Sequence, residues 1–423
     1  MTKPSLEGLL SRRLEGMGTS AIRDLLSQAG KKDFISLGGG YPAPESFPLK
    51  IIDDLDKIVK DKYGPSIRQY GATEGYRAPD GTVPLLEELP NFLKRPNRNI
   101  EVSPENIAIT AGSQEALTIL GMMFLDKGDK VAVESPTYLG AIQAFSPFKP
   151  NYIELKTDEF GIIPENLDLV FTENPDIKFL YTVPTFQNPS GRTIPLERRR
   201  IVADTLKKHA KFAVEDDPYS ELRYEGEHLS SIKSLAPDNV IHLFTFSKTL
   251  APDFRIGGMV ASKEIITDAN MIKQGLTLFT SNYNQAMVTE YLKGGYIDQH
   301  IPKIIKLYRE RRNIMAQAID ENFPDIFKYT LPEGGMFLWV NLKKEFIDLA
   351  TMLNMKKILE EAKRSGIGFV PGAPFFARSN GNEIAMRLNY TNQGPENIVE
   401  ATRVIGEILQ QNLSEISISA ISF

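Results

Sequence analysis

The sequence contains no cysteine among its 423 residues and only four histidines. Without cysteine the chain has no disulfide bond, no thiolate metal ligand and no cysteine nucleophile. The histidines are scattered without metal-ligand spacing, so we predict no metal site. An excess of basic residues is also missing, because the formal net charge is -5. We therefore do not expect nucleic acid or a membrane surface as a partner.

Long apolar runs are lacking as well. The first residues, MTKPSLEGLLSRRLEGMG, contain no apolar segment of the kind found in secretory signals, and later apolar runs are too short to cross a bilayer. A composition of 42% hydrophobic and 24% charged residues is typical of a globular enzyme. We therefore expect a cytoplasmic protein, and its length predicts two domains.

Seven short segments rich in β-branched and aromatic residues alternate with helical patterns between about residues 105 and 265. They are NIAIT, KVAVE, NYIEL, IKFLYTVP, KFAVEDD, VIHLFTF and RIGGMVAS. This alternation predicts an α/β fold with a mostly parallel central sheet flanked by helices. Such sheets bind ligands at the carboxyl ends of their strands, so we expect functional residues directly after each strand.

After about residue 295 the pattern changes to a long charged helix followed by short α+β segments. We predict a large domain over residues 61–298, and a smaller α+β domain made from both chain ends. Residues 1–60 form its N-terminal helix or arm, and residues 299–423 form the rest. The final segment, SEISISAISF, alternates apolar and polar residues, and an edge strand and an unpacked tail fit that pattern equally.

The segment VIHLFTFSKTLAPDFRIGG places several hydroxyl and basic side chains just after a predicted strand. Lys248 follows a buried strand, where burial lowers the pKa of an amine and frees it for imine formation. Thr245, Ser247 and Arg255 accompany it and can bind a phosphate. A single lysine in a loop is more often simply exposed. Its neighbours favour a lysine that reacts with a cofactor.

Two further strand ends offer an anion site and a carboxylate. Ser113 and Gln114 begin a predicted helix, whose N-terminal amides suit a phosphate, although Ser113 as an ordinary helix cap is the simpler interpretation. Asp216 directly follows a buried strand, where a carboxylate needs a cation such as a protonated pyridine nitrogen. A solvated acidic turn before Pro218 is an equally good interpretation of that segment.

Asn188 and Arg387 are two more polar candidates. Asn188 lies in the turn NPSG and can donate to a phenolate oxygen, although this is also a common turn sequence. Arg387 lies inside the alternating strand EIAMRLNY, where a substrate carboxylate would offset the cost of burying a cation. A structural ion pair is the competing interpretation of Arg387.

Taken together, ten sequence blocks resemble the class I and II aminotransferases of the aspartate aminotransferase fold, which is pyridoxal phosphate (PLP) fold type I. The nearest branch contains aromatic, kynurenine and 2-aminoadipate aminotransferases, and the resemblance spans about residues 17 to 410. The blocks are ISLGGGYPAPESFP, RQYGATEG, ITAGSQEAL, ESPTYLGA, LYTVPTFQNPSG, VEDDPYSEL, FSKTLAPDFRIGG, PEGGMFLWV, FVPGAPFF and MRLNY.

The resemblance implies a PLP-dependent aminotransferase. It would move the α-amino group from an aromatic amino acid, 2-aminoadipate or glutamate to a 2-oxo acid such as 2-oxoglutarate, with ping-pong kinetics. It also implies a homodimer with shared active sites.

The same resemblance implies a role for each candidate residue. Lys248 is the Schiff-base lysine, Asp216 pairs with the pyridine nitrogen, and the cofactor's phenolic oxygen is bound by Asn188 and Tyr219. The remaining cofactor contacts are the phosphate ligands Ser113, Gln114, Thr245, Ser247 and Arg255, the stacking residue Tyr138, and Tyr70 from the partner subunit. The substrate contacts are Arg387 for the α-carboxylate, with Asn188, Gly39 and Gly40, and Ser20 and Arg23 for a distal carboxylate. Ser20 as a helix cap is the alternative interpretation of that last pair.

Three features depart from the usual pattern of this branch. Residues 78–81 (APDG) look like a short insertion comprising Ala78, Pro79, Asp80 and Gly81, and Gly258 replaces an aromatic residue. Asp253 stands where glycine is usual, and an acid there should weaken phosphate binding unless it points to solvent.

Two alternative functions are compatible with the sequence. A β-lyase on the same fold would release pyruvate and ammonia without a 2-oxo acid acceptor. A ligand-sensing regulator would need a DNA-binding domain before the sheet domain, where only about 60 residues without a notable basic excess are found.

Overall fold

A computed structural model describes residues 8–14, 34–379 and 383–421. The helices are α1 Leu49–Tyr63, α2 Pro84–Leu93, α3 Ser113–Phe124, α4 Leu139–Phe145, α5 Pro164–Glu173, α6 Leu196–Lys208, α7 Ile232–Leu235, α8 Lys263–Leu276, α9 Asn282–Lys293, α10 Tyr296–Asn322, α11 Met355–Arg364 and α12 Pro395–Ile421. The strands are β1 Ile35–Ser36, β2 Ile107–Thr110, β3 Lys130–Glu134, β4 Asn151–Leu155, β5 Thr157–Asp158, β6 Gly161–Ile162, β7 Ile177–Thr182, β8 Phe212–Asp217, β9 Val240–Thr245, β10 Gly257–Val260, β11 Phe327–Lys328, β12 Phe337–Leu342, β13 Ile367–Gly368, β14 Val370–Pro371 and β15 Ala385–Asn389.

The seven predicted strand segments form one sheet with the order β2-β10-β9-β8-β7-β3-β4. All neighbours are parallel except β10, which is antiparallel to both β2 and β9. The predicted α/β fold with a mostly parallel sheet is therefore confirmed. Strand β9 is buried along its whole length, as expected for a strand covered on both faces.

The parallel register of the central strands gathers their carboxyl ends. Asp217 at the end of β8 lies opposite Phe244 of β9. Because β7, β8 and β9 are adjacent and parallel, the residues that follow them meet at one edge of the sheet. This edge carries the candidate site.

Both chain ends contribute to a smaller set of strands. β1 pairs in parallel with β13, Ile35 opposite Ile367. An antiparallel sheet of order β11-β12-β15-β14 contains Arg387 on β15, opposite Trp339 on β12. The division at residues 60 and 298 stays a prediction, and α1 and α10 each cross one of these boundaries.

The prediction for the C-terminal segment is wrong, because α12 continues to Ile421. The helical spacing of its apolar residues explains why. Ile398, Ala401, Ile405 and Leu409 are fully buried, and Leu413 packs beside them. This three- and four-residue spacing docks one face of the helix on the core, and the alternation in SEISIS does not interrupt it. Within the described ranges, no helix has the length and apolarity that crossing a bilayer requires.

Candidate active site

A cavity of about 250 Å³ lies at the carboxyl edge of the large sheet and reaches Arg387 on the small antiparallel sheet. It brings together twelve of the predicted site residues: Gly40, Ser113, Gln114, Tyr138, Asn188, Asp216, Tyr219, Thr245, Ser247, Lys248, Arg255 and Arg387. Tyr70 does not line the cavity and is 77% exposed. Gly39 is buried and precedes the lining residue Gly40, but does not itself line the cavity. Ser20 and Arg23 fall outside the described residues.

Lys248 enters this cavity just after β9. Its Nζ donates to the carbonyl oxygen of Gly40 at 2.9 Å, and among the described residues no carboxylate forms an ion pair with it. Burial, together with the positive charges of Arg387 and Arg255, lowers its pKa to about 8. A substantial fraction of this amine is therefore neutral and nucleophilic near pH 8.

Asp216 is buried at the end of β8 and is 2% exposed. Its Oδ2 accepts a hydrogen bond from the Tyr181 hydroxyl at 2.9 Å, whereas its Oδ1 has no hydrogen-bond partner. Burial raises the pKa of Asp216 to about 7, and the neighbouring charge of Asp217 acts in the same direction. A cation beside Oδ1 would satisfy this oxygen and keep the carboxyl ionised.

The hydroxyl groups after β9 and the start of α3 form an anion site. Gly112 precedes α3 with a φ of +76°, and no side chain caps that helix end, so Ser113 is not the helix cap. Thr245 Oγ1 donates to Ser247 Oγ at 3.0 Å. Arg255 Nη1 lies 3.4 Å from the same Ser247 oxygen. Free helix amides, two hydroxyls and a guanidinium together suit a phosphate dianion.

The positive φ of Gly112 and the nearby Arg255 side chain both favour glycine before α3. A Cβ on Gly112 would lie 2.7 Å from Arg255 Nη2, which itself donates to the carbonyl oxygen of Ala111 at 2.6 Å. Gln114 Nε2 donates to the carbonyl oxygen of Gly140 at 3.0 Å and so ties α3 to α4. The anion site is therefore held by contacts among four chain segments.

Arg387 also lines the cavity and is 1% exposed. Its Nη1 donates to Asn188 Oδ1 at 2.8 Å and its Nη2 to the carbonyl oxygen of Gly38 at 2.6 Å, while its Nε has no partner. Its guanidinium lies 4.3 Å from the ring centre of Phe337 and 5.0 Å from that of Phe375. Within the described part of the chain no carboxylate forms an ion pair with it, so the structural ion pair considered above is not found there.

The remaining polar candidates also meet in the cavity. Asn188 Nδ2 lies 3.3 Å from the Tyr219 hydroxyl, which places two donors side by side. Tyr138 precedes α4, and a Cβ on Gly140 would lie 2.4 Å from its ring, so this glycine makes room for the Tyr138 side chain. Burial raises the pKa of both Tyr138 and Tyr219, which keeps their hydroxyls protonated.

Several contributors were missed by sequence reasoning. Tyr181 binds Asp216, and the rings of Phe337 and Phe375 flank Arg387. Tyr41 also lines the cavity. A tyrosine within a buried strand needs a hydrogen-bond partner, which was a usable signal for Tyr181. The flanking rings had no such signal, because they depend on how distant strands pack.

The structure shows the conformation or packing at each of the three positions that depart from the usual pattern of the branch. Residues 78–81 form a closed turn in which Asp80 Oδ1 accepts from the Thr82 amide at 3.0 Å. Asp253 is exposed in a short 3-10 helix, which meets the condition that it points to solvent. A Cβ on Gly258 would lie 2.5 Å from the Ala108 carbonyl oxygen and 2.6 Å from the Phe244 ring. Phe244 thus occupies space that a side chain at position 258 would need.

The donor set fits the PLP that the sequence resemblance implies. The unpartnered Asp216 Oδ1 suits a protonated ring nitrogen, and the partly neutral Lys248 amine suits an aldehyde. The helix amides with Thr245, Ser247 and Arg255 suit the phosphate. The Arg387 guanidinium remains for a carboxylate of the substrate.

Comparisons with known proteins agree with this assignment. The family model described as "Aminotransferase class I and II" matches residues 49–405. The chain is 39% identical to aromatic-amino-acid aminotransferase 1 of Thermococcus litoralis, over 97% of this chain and 96% of that protein.

Two solved structures extend the comparison to the fold. A kynurenine aminotransferase of Pyrococcus horikoshii in complex with PMP superposes with a TM-score of 0.88 at 40% identity, covering 96% of this chain and 98% of that one. An alpha-aminoadipate aminotransferase of Thermus thermophilus, complexed with N-(5'-phosphopyridoxyl)-L-leucine, gives 0.86 at 34% identity, with 97% and 100% coverage.

Proposed function

Because this chain belongs to the class I and II aminotransferases and is a PLP-dependent transaminase, we propose that it uses aromatic amino acids and 2-aminoadipate or glutamate as amino donors. We propose 2-oxoglutarate as the acceptor. The observation that carries amino-acid and 2-oxo acid binding is Arg387, a buried cation without an ion-pair partner among the described residues. A substrate α-carboxylate satisfies it, since donor and acceptor both have one.

The names of the similar proteins support the donor classes. They include an aromatic-amino-acid aminotransferase, a kynurenine aminotransferase and an alpha-aminoadipate aminotransferase. A distal carboxylate on the donor or acceptor would bind Ser20 and Arg23, as the sequence resemblance implies. Tyr41 at the cavity wall offers an apolar ring surface to an aromatic donor.

PLP supplies a carbonyl that accepts the amino group and a ring that withdraws electrons from the substrate Cα. Asp216 would hold the ring nitrogen through Oδ1, and Asn188 and Tyr219 would bind the phenolic oxygen. Ser113, Gln114, Thr245, Ser247 and Arg255 would hold the phosphate, and Tyr138 would lie over the ring.

The protein's own groups then perform the proton transfer. Arg387 fixes the substrate α-carboxylate. Lys248 Nζ, with its pKa lowered to about 8, would take the proton from the substrate Cα and hold it during the transfer. Since one arginine receives the carboxylates of both substrates, the first 2-oxo acid must leave before the second binds. We therefore propose ping-pong kinetics.

We also propose a homodimer with shared sites. Tyr70 is 77% exposed, yet the segment that carries it is firmly held. Asn282 Nδ2 donates to the carbonyl oxygen of Gln69 at 2.9 Å, and Lys273 Nζ donates to that of Thr73 at 2.7 Å. A fixed segment that presents an exposed aromatic residue suits contact with a second copy of the chain. A cytoplasmic location remains a prediction from the sequence.

The decisive experiment is a single-turnover assay on the PLP-loaded protein. Without acceptor, tyrosine, kynurenine, 2-aminoadipate or glutamate should each yield at most one 2-oxo acid per subunit, and added 2-oxoglutarate should restart turnover with formation of glutamate. If no donor gives a 2-oxo acid, the proposal is wrong. Continuous release of pyruvate and ammonia from a β-substituted amino acid without acceptor would favour the lyase instead.

A further inference from the structure

Tyr181 lies beneath the cavity, inside the large sheet. It occupies β7, next to β8, and is fully buried. Its hydroxyl donates to Asp216 Oδ2 at 2.9 Å, and the ring of Phe145 packs edge-on against its ring at 6.0 Å between centroids. A ring enclosed in this way holds its hydroxyl in one place. Tyr181 therefore determines which oxygen of Asp216 is engaged from below.

The acids that flank Asp216 have several partners of their own. Asp217 lies 2.8 Å from Arg98 Nε and accepts from the Ser220 hydroxyl. Glu215 accepts from the amides of Ile232 and Lys233. Asp216 differs from both, because among the described residues Tyr181 is the one group that the structure shows bonded to its carboxylate.

The hydrogen bond from Tyr181 affects the pKa of Asp216. Burial raises the pKa of Asp216 and the bond from Tyr181 opposes that rise, while the charge of Asp217 adds to it. Burial and the Asp216 charge also raise the pKa of Tyr181 well above its usual value, so it remains a donor. Around the cavity, the charged groups of Lys248, Arg387 and Arg255 also face this region.

We propose that Tyr181 is a positioning residue for cofactor binding, acting through Asp216. By occupying Oδ2 it fixes the carboxylate plane and leaves Oδ1 for the ring nitrogen. By donating to the ionised carboxylate it favours the charged state that keeps the ring nitrogen protonated. This inference rests on the assignment of PLP to the cavity and adds a residue, Tyr181, that does not itself line the cavity.

The test is the dissociation constant of PLP, measured by titrating the cofactor-free protein and following the cofactor absorption band. Tyr181→Phe removes one hydroxyl and retains the ring, and should weaken PLP binding about tenfold to a hundredfold, the range for a hydrogen bond to a charged group. The same substitution, Tyr181→Phe, should also lower kcat more than it changes KM. Tyr308→Phe is the control, because Tyr308 is equally buried but bonds Ser46 and Ala43 away from the cavity lining.

A double-mutant cycle separates positioning from packing. If Tyr181 acts through Asp216, the change to phenylalanine should cost little further affinity in an Asp216→Asn background. An equal loss in both backgrounds, or no loss in the wild-type background, overturns the inference. If the wild-type protein binds PLP and transaminates, and Tyr181→Phe leaves the dissociation constant of PLP unchanged, only the inference about Tyr181 is overturned. A wild-type protein that binds no PLP overturns the proposed function with it.

Discussion

Arg387 Nη1 donates to Asn188 Oδ1 at 2.8 Å, and the amide nitrogen of the same asparagine lies 3.3 Å from the Tyr219 hydroxyl. The residue proposed to bind the substrate carboxylate and the residue proposed to bind the cofactor ring are thus joined by one hydrogen bond. Asn188 lies in the turn that follows β7 of the large sheet, and Arg387 lies on β15 of the small one. In the proposed site, this bond would make the positions of substrate and cofactor interdependent.

Replacing Arg387 by lysine keeps the charge but removes the planar pair of donors. We expect kcat/KM to fall about a hundredfold for the donor and for 2-oxoglutarate alike, or about 3 kcal/mol, because one guanidinium receives both carboxylates. Steady-state kinetics with each substrate varied in turn measures this effect. Arg403→Lys, on an exposed helix face with Glu400 and Glu407 as partners, should leave both constants unchanged. A loss confined to one substrate would contradict a shared carboxylate site.

Much of this arrangement could be predicted from the sequence because it depends on local patterns. KVAVE and NYIEL coincide with β3 and β4. Asp216 lies at the carboxyl end of β8, and Asn188 and Lys248 follow β7 and β9, as the α/β alternation requires. The bond from Tyr181 to Asp216 joins residues 35 positions apart on adjacent strands, and that adjacency is a property of sheet order. The two rings beside Arg387 likewise depend on the packing of the small sheet. Local sequence carries no information about either.

The lowered pKa of Lys248 predicts a pH-dependent stability of the cofactor-free protein. In the folded state the pKa falls from 10.5 to about 8, so between these values the unfolded chain binds the extra proton and stability rises with pH. Lys248→Met should therefore raise the free energy of unfolding at pH 7, by on the order of 1 to 3 kcal/mol. The gain should shrink as the pH rises from 8 to 10.5.

Thermal unfolding across pH 7 to 10.5 tests this expectation. Lys263→Met is the control, since Lys263 is exposed and its bond to Glu105 raises its pKa instead. This variant should show no gain in stability at pH 7. A pH-independent difference between Lys248→Met and the wild type would contradict the assigned pKa.

Substitution by alanine should have opposite effects on the free energy of unfolding at Gly258 and at Gly275. A Cβ at position 258 would lie 2.5 Å from the Ala108 backbone oxygen and would force β10 and the edge strand β2 apart, so Gly258→Ala should destabilise the protein by about 2 kcal/mol or more. Gly275 lies in a helix where an added methyl group would meet open space, and Gly275→Ala should stabilise by about 0.5 to 1 kcal/mol. Urea unfolding measures both, and equal effects would show that strand packing at Gly258 is not the constraint.

Arg23 is proposed to bind the distal carboxylate of acidic substrates. Arg23→Ala should lower kcat/KM for 2-aminoadipate and glutamate by about tenfold to a hundredfold, the effect of losing one charged hydrogen bond, and should leave aromatic donors nearly unchanged. Arg13→Ala, an exposed arginine nearer the N-terminus, is the matched control and should alter neither. Unchanged kinetics with acidic donors would remove Arg23 from the substrate site.

If Tyr70 acts in the active site of the partner subunit, Tyr70→Ala and Lys248→Ala chains should restore activity when they form mixed dimers. Tyr70→Ala homodimers should bind PLP about tenfold to a hundredfold more weakly, because the cofactor contact that the resemblance implies for Tyr70 of the partner subunit would be lost, and Lys248→Ala homodimers should be inactive. A mixed dimer of the two has one site with Lys248 from one chain and Tyr70 from the other. At a PLP concentration that leaves Tyr70→Ala homodimers largely empty, mixed dimers should regain about half of the wild-type activity. If they bind PLP as weakly as the Tyr70→Ala parent, Tyr70 acts within its own chain and the shared site is excluded.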